Sequence, residues 1–456
     1  MSSVSLPRVV IAAPASGHGK TMVATGLLAA LRRTGLEVSG HKIGPDYIDP
    51  GYHALAAGRV GRNLDPWLVG AERIAPLLLH GAMTPRPADI AVIEGVMGLH
   101  DGAVGQAGFA STAHVAALLD APIVLVLDTT AQGRSAAASV LGMQLFEKGI
   151  RIAGVILNRV GSDRHERLLR DAMKEVGVSV LGVIGRSERI VTPSRHLGLI
   201  PASERRVEAS QTVDALADLI ACSVDIESFL AVARQASPLH AEAWDATGEV
   251  NRIGGEPIVA IASGPAFTFS YAETAELLTA AGAKVVGFDP TRDNALPTGT
   301  DGVVIGGGFP ELHAELLSAN TGLRADLAGF DGPIAAECAG LLYLCRELDG
   351  APMVGRIEAS AQLSPRLALG YREAIAEHDS CVAQAGQRVH GHEFHRTTTT
   401  PGYGAKAAWR FAGDPAVADR AGDRDGFVTS RVHASYLHTH WAGQPTAAER
   451  FVAACT

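Results

Sequence analysis

Ala15-Ser16-Gly17-His18-Gly19-Lys20-Thr21, entered from the apolar run Arg8–Ala13 and continued by the helical stretch Thr21–Arg33, is the part of this sequence that decides the fold. Glycines at a strand-to-helix turn let backbone N–H groups converge on phosphate oxygens, and the helix N-terminus adds a favourable dipole. Gly17 and Gly19 are the candidate phosphate-binding glycines. Lys20 is placed to bridge the β- and γ-phosphates of ATP, and the Thr21 hydroxyl to bind Mg²⁺. The first glycine of the usual pattern is replaced by Pro14.

Working outward, Val38–Ile43, Ile90–Glu94, Ile123–Asp128 and Ile152–Leu157 are short apolar runs, each separated by enough chain for a helical crossover. That pattern predicts an α/β fold built on a doubly wound parallel sheet. Two acidic segments follow strands of this series, Lys42-Ile43-Gly44-Pro45-Asp46-Tyr47-Ile48-Asp49 and Ile93-Glu94-Gly95-Val96-Met97-Gly98-Leu99-His100-Asp101. Both fall at carboxyl ends of parallel strands, where ligands of open α/β sheets bind. Mg²⁺ takes hard oxygen ligands and only one or two carboxylates beside phosphate and water, so Asp46 and Glu94 join Thr21 as candidate metal ligands. Asp101 is assigned to the substrate side. Asn158, ending its strand, is a candidate for reading the adenine edge.

A more polar stretch over 223–256 reads as a linker, dividing the chain into domains at 1–222 and 257–456. The second strand–helix series runs through Ile258–Ala262, Lys284–Phe288, Gly302–Ile305 and Pro333–Ala336. After Glu377 the pattern becomes β-rich. Cys338 stands just past the last of those strands, in Glu337-Cys338-Ala339-Gly340. A tight strand-to-helix turn exposes such a sulfur beside a helix N-terminus, which favours thiolate. The Ala339 N–H is one candidate oxyanion donor, and Gly307 and Gly308 are candidates for the other. A cysteine nucleophile needs a base. In Ser435-Tyr436-Leu437-His438-Thr439-His440-Trp441, two-residue alternation predicts His438 and His440 on one face, with His438 the base and His440 the lesser candidate. His392, in His390-Gly391-His392-Glu393-Phe394-His395, is assigned to the glutamine pocket. These histidines lack the spacing of a helical zinc site.

At 456 residues the chain is too long for one ordinary core. A formal net charge of −9 argues against nucleic acid and anionic membranes as partners. No apolar run approaches the roughly 18–20 residues that span a bilayer, and no signal-peptide core precedes the first strand, so a cytoplasmic location is expected. The five cysteines are odd in number and form no Cys-x-x-Cys pair, which points away from a disulfide framework.

Taken together, these segments resemble the cobyrinic (or hydrogenobyrinic) acid a,c-diamide synthase family of glutamine-dependent amidotransferases. The resemblance is carried by the phosphate loop, by Gly44-Pro45-Asp46-Tyr47-Ile48-Asp49, Asn63-Leu64-Asp65-Pro66-Trp67 and Glu94-Gly95-Val96-Met97-Gly98, and by Gly306–Glu311, Ala336-Glu337-Cys338-Ala339-Gly340, Gly391–His395 and Tyr436-Leu437-His438. It implies an N-terminal ATP domain similar to dethiobiotin synthetase and a C-terminal domain similar to class I glutamine amidotransferases. It implies ATP and L-glutamine as co-substrates, Mg²⁺ as cofactor, and a corrin substrate whose a and c acetates are amidated in turn. Asp46, Tyr47, Ile48, Glu94 and Asp101 match the family's substrate-binding and activity-related positions, and Cys338 and His438 its nucleophile and base. Likeness to dethiobiotin synthetase implies a homodimer. The expected alternative is an enzyme of the same design acting on nickel-sirohydrochlorin or, more distantly, a cobyric acid synthase. A partitioning-type ATPase switch usually carries a second lysine where this chain has Ala15, and has no use for Cys338 and His438. The familiar glutaminases follow their histidine with Pro-Glu. Here Thr439-His440 follows, so no third member of a triad is evident.

Overall fold

In a computed structural model, residues 3–186, 194–195, 198–199, 204, 206–412 and 422–456 are described. They divide into two compact units, Met1–Pro66 with Gly70–Trp244, and Trp67–Val69 with Asp245–Thr456.

The first unit is organised by strands β1 (Arg8–Ala12), β2 (Val38–Ile43), β3 (Arg62–Leu64), β4 (Ile90–Glu94), β5 (Ile123–Asp128), β6 (Ile152–Val160) and β7 (Val180–Gly185). They form one sheet in the order β3-β2-β4-β1-β5-β6-β7. Every neighbouring pair is parallel. Strands β1, β2 and β4 are buried at every residue, because helices covering both faces leave no solvent side. The two edge strands β3 and β7 lie outside the apolar runs read from sequence. Helix α1 (Lys20–Arg33) starts directly from the phosphate loop, and α2 spans Asp49–Ala57. Helix α3 (Arg206–Ser223) packs closely on α1, where a side chain at Gly26 would come within 2.5 Å of Ile220.

Residues 223–244, expected as linker, fold with this unit. Asp225 caps helix α4 (Ile226–Ala233), accepting from the Ser228 N–H, and α4 buries Phe229, Val232 and Ala233. A polar average over the window concealed this short amphipathic element.

The second unit contains β8 (Ile258–Ala262), β9 (Lys284–Phe288), β10 (Thr300–Ile305), β11 (Ile334–Glu337), β14 (Phe427–Val428) and β15 (Val432–Ser435), ordered β9-β8-β10-β11-β15-β14. The first five strands in that order are parallel and β14 is antiparallel. Helices α5 (Ala272–Ala280) and α6 (Ala339–Leu344) belong to this unit. A second sheet is built on the antiparallel ribbon β12 (Ser360–Ala376) and β13 (Arg388–Thr400), and the two-residue strand β16 (His438–Thr439) pairs with β13. The ribbon starts before the expected β-rich onset at Glu377. Pro365 and the irregular pairing between Leu363 and Ala368 break the alternation that would have marked β12 as a strand. Trp67 is grouped with this unit, stacking on Tyr371 and His390 with centroids 5.2 and 4.7 Å apart. Among the described residues, no helix is long and apolar enough to cross a membrane.

Candidate active sites

In the first unit, Gly17 and Gly19 hold left-handed backbone, φ 85° and 98°, which glycine adopts at no steric cost. A side chain at Gly19 would lie 2.6 Å from the Asn158 amide. That amide donates to the His18 carbonyl at 2.9 Å, and its oxygen accepts from the Arg159 N–H at 2.9 Å. Asn158 was expected to read adenine. Here its Nδ2 holds the phosphate loop at His18 and its oxygen accepts from the neighbouring Arg159 N–H.

Lys20 lies against the carbonyls of Ala15 and Met97. Burial, reinforced by the Lys42 ammonium, lowers its pKa to about 8. An ammonium held among carbonyls without a carboxylate contact is poised for an anion. The Thr21 hydroxyl lies 2.5 Å from Glu94 Oε1 and 3.2 Å from Asp49 Oδ2. Lys42 Nζ joins the same two carboxylates, 2.7 Å from Asp49 Oδ2 and 2.8 Å from Glu94 Oε1. His53 Nε2 reaches Glu94 Oε2 at 2.7 Å. Burial works against the charge of Lys42, but Asp49, Glu94 and Asp46 outweigh it and hold the lysine protonated. Burial likewise opposes ionisation of Glu94, and Lys42 with His53 overcomes it, holding the carboxyl well below its usual range.

The second carboxylate beside Thr21 is therefore Asp49, where Asp46 was expected. Asp46 Oδ1 accepts from the N–H groups of Ile48 and Asp49, at 2.8 and 2.9 Å, and so closes the Tyr47-Ile48 turn that starts α2. An aspartate two or three residues ahead of a helix commonly binds the helix's first N–H groups, and that signal was available in the sequence. Asp101 has a similar local bond, accepting from the Gly98 N–H at 2.8 Å. The structure adds Lys42, Asp49 and His53 to the site. Lys42 and Asp49 stand in the acidic segment quoted from the sequence without an assigned role, and His53 lies on the buried face of α2.

Cys338 is buried in the second unit between β11 and α6, with φ 49° and ψ −100°. That sterically strained conformation persists where the surroundings over-determine it. Its N–H donates to the Ser435 carbonyl at 2.8 Å. A side chain at Gly340 would lie 2.3 Å from the Ile305 carbonyl, so this glycine lets α6 leave the sheet at once. The positive φ belongs to Cys338, and Ala339 fits as the first residue of the helix. Burial works against the thiolate character expected from the helix terminus. Burial, then the nearby Glu311, pushes the Cys338 thiol up; the Ala339 N–H works the other way, and Glu337 and Asp425 add to the rise.

His438 is fully buried, and burial followed by His392 and His395 lowers its pKa to about 3. It lies opposite His392 in the β13–β16 pairing. Burial also lowers the His392 pKa, to about 4. A side chain at Gly307 would come within 2.4 Å of His438 Cε1. Gly307 exchanges both backbone bonds with Phe269, at 3.0 and 3.1 Å, so its N–H is already engaged, leaving Gly308 as the donor candidate from that pair. His440 belongs to a different cluster from His438. It stacks on Tyr271 at 4.1 Å, with Nε2 3.7 Å from Glu273 Oε2. Strand β16 ends at Thr439, so the alternation that predicted a shared face stops there. Among the described residues no three His, Cys, Asp or Glu side chains are grouped to hold a metal ion. His390, His392 and His395 face separate partners: Trp67, Tyr371 and Tyr436 respectively.

Gly307→Ala is expected to push the His438 ring aside and lower glutaminase turnover by about 10²-fold, the scale of lost general-base catalysis. Initial glutamate release measures it; an unchanged rate would show that the ring has room to move.

Residues 9–200 match the CobQ/CobB/MinD/ParA nucleotide binding domain, and residues 258–446 match the CobB/CobQ-like glutamine amidotransferase domain. Hydrogenobyrinate a,c-diamide synthase of Streptomyces coelicolor is 55% identical, covering 100% of this chain and 98% of that protein. The chain belongs to the a,c-diamide synthase family. Its relative of the same name in Thermobifida fusca is 57% identical over 98% of this chain and 97% of that protein. Cobyrinate a,c-diamide synthase of Gloeobacter violaceus is 42% identical over 98% of this chain and 96% of that protein. The two domain matches fall on the two units, each with one of the two sites.

Proposed function

We propose that this chain is a hydrogenobyrinate a,c-diamide synthase, using ATP and glutamine to amidate the a and c acetates of the ring. The reading is carried by the joint presence of a phosphate loop with Thr21, Asp49 and Glu94 in one unit and a strained, buried Cys338 with a buried His438 in the other, in a member of this family. The metal-free ring is favoured over the cobalt ring because the 55–57% identical relatives carry the hydrogenobyrinate name and the 42% identical one the cobyrinate name.

In the synthetase step an acetate oxygen of the ring attacks the γ-phosphorus of ATP and ADP leaves, giving an acyl phosphate. Ammonia then attacks the acyl carbon and phosphate departs. The loop N–H groups and Lys20 orient the phosphates and neutralise charge as it develops. One hydroxyl and two carboxylates of Thr21, Asp49 and Glu94 suit Mg²⁺, whose remaining ligands would come from nucleotide and water. Bound there, Mg²⁺ supplies charge neutralisation on the phosphates. Lys42 and His53 hold Glu94 ionised and oriented. In the glutaminase step Cys338 passes its proton to His438 and attacks the glutamine amide. Ammonia leaves with that proton, and water hydrolyses the thioester to glutamate. Cytoplasmic, homodimeric enzyme is part of the same proposal, and the mass in solution tests the dimer.

The deciding experiment supplies Mg-ATP, glutamine and, separately, hydrogenobyrinic acid, cobyrinic acid and nickel-sirohydrochlorin, and reads product mass. Two successive exchanges of OH for NH₂, fastest on hydrogenobyrinic acid, are expected. Faster turnover of either metallated ring would overturn the ring assignment.

A further inference from the structure

We infer that Glu337, the residue immediately before the nucleophile, is the positioning residue for His438 and takes the part that the missing Pro-Glu plays in familiar glutaminases. Two residues beyond His438, where that glutamate would stand, is His440, and it is held by Glu273 and Tyr271. A carboxylate reaches the base from the nucleophile's own strand instead. Glu337 closes β11, and its Oε1 accepts from the Thr439 hydroxyl at 2.7 Å and the Thr439 N–H at 3.2 Å. With that oxygen held by the residue next to the base, Oε2 lies 4.0 Å from His438 Nδ1. Sequence reading along the 435–441 segment could not find this partner, because it sits a hundred residues away on a neighbouring strand.

The resting state explains why this pair is separated beyond hydrogen-bond length. Burial lowers the pKa of His438 to about 3 and raises that of Glu337 to about 7, which works against the charged forms of both before reaction. When the Cys338 proton moves to His438, an imidazolium appears in a buried site, and the Glu337 carboxylate is placed to stabilise it. The other charged or titratable groups facing the base are His392, His395 and Glu393 of β13; the sulfur faces Glu311 and Asp425 as well as Glu337. Glu393 is already paired with Arg372, with its Oε2 2.6 Å from Arg372 Nε. Glu337 is the carboxylate that links nucleophile, base and the base's strand.

This inference rests on the proposed roles of Cys338 and His438. Its test uses the full chain with glutamine, Mg-ATP and ring substrate. Glu337→Gln keeps an acceptor for Thr439 but removes the charge. Thr439→Val removes the hydroxyl bond but keeps the charge. Glutaminase kcat in Glu337→Gln is expected to fall roughly 10²-fold with glutamine KM within about threefold, the pattern of a loss confined to the transition state. Glu337→Asp should recover much of that loss. Iodoacetamide labelling of Cys338 near neutral pH, followed on its own peptide because Cys222 is exposed, should slow about tenfold in Glu337→Gln, since fewer thiolate–imidazolium pairs form. Thr439→Val, which loosens Glu337 but keeps its charge and the Thr439 N–H bond, should lose distinctly less than Glu337→Gln in both measurements, and the ammonia-supported reaction should be unchanged throughout. Wild-type kcat and labelling in Glu337→Gln, or equal losses in Glu337→Gln and Thr439→Val, would overturn the inference. A parallel His438→Ala variant separates the two levels: if it retains glutaminase, the reading of the base fails; if it loses glutaminase while Glu337→Gln does not, only the role of Glu337 fails.

Discussion

Cys338→Ser loses glutamine-supported amidation by at least about 10³-fold and keeps the reaction supplied with ammonium salt, the outcome expected when a covalent nucleophile is removed from one of two sites. The strained backbone at Cys338 and its N–H bond to Ser435 do not depend on sulfur, so serine should hold the same place in the turn. A serine hydroxyl is far harder to deprotonate than a thiol, and this site already pushes the thiol up by burial and by Glu311. His438 is thus asked for more basicity than a buried imidazole has. Amidation rates with glutamine and with ammonium, measured on the same preparation, decide the matter. Loss of the ammonia-supported rate in folded protein would mean that Cys338 serves something other than glutamine hydrolysis.

Lys20→Ala is expected to remove both the glutamine- and the ammonia-supported reactions by roughly 10²–10³-fold, the cost of losing one preorganised charge at a transition state. It should do so without lowering Tm. Lys20 is buried against carbonyls, and its pKa is depressed to about 8 from an ordinary 10.5. A lysine whose folded pKa is depressed destabilises the fold while charged, and that penalty fades as pH rises above its folded pKa. Removing it at neutral pH therefore relieves the fold while disabling the chemistry. A thermal melt beside the two assays distinguishes this from unfolding. A falling Tm with proportionate loss of activity would assign Lys20 a structural role.

The site residues divide according to how far their partners lie along the chain. Gly17, Gly19, Lys20 and Thr21 were legible because one strand, one turn and one helix create the phosphate loop within a short stretch. Cys338 was legible for the same reason. Asp46 and Asp49 differ only in which carboxylate the start of α2 takes up, so neighbouring chemistry that looks equivalent in sequence becomes unequal once the helix forms. Asn158 was recognised by position as a site residue, and its bond to the phosphate loop at His18 became visible only in the fold. Lys42 and His53 meet Glu94 across separate elements and left no local signal.

The strands were legible where burial on both faces demands continuous apolar residues. Val38–Ile43, Ile90–Glu94, Ile123–Asp128 and Ile258–Ala262 have the same bounds in sequence and structure, and so does the less buried edge strand Lys284–Phe288, whose Val-Val-Gly-Phe run is apolar without being enclosed. Strand β7 and the long ribbon were not, because half-buried strands tolerate polar residues and interruptions, and β3 was missed as a three-residue Arg-Asn-Leu strand despite its burial.

By itself the sequence determined the two-domain α/β plan, and it marked the phosphate loop and the cysteine at a strand-to-helix turn, since each follows from local periodicity or a short motif with its own sterics. Tertiary structure alone decided which aspartate joins Thr21, that His440 stacks on Tyr271 beside Glu273, and that Glu337 Oε2 comes to 4.0 Å from His438 Nδ1. Those outcomes depend on pairing between strands distant in the chain, and a contact made across such a pairing has no counterpart in local order.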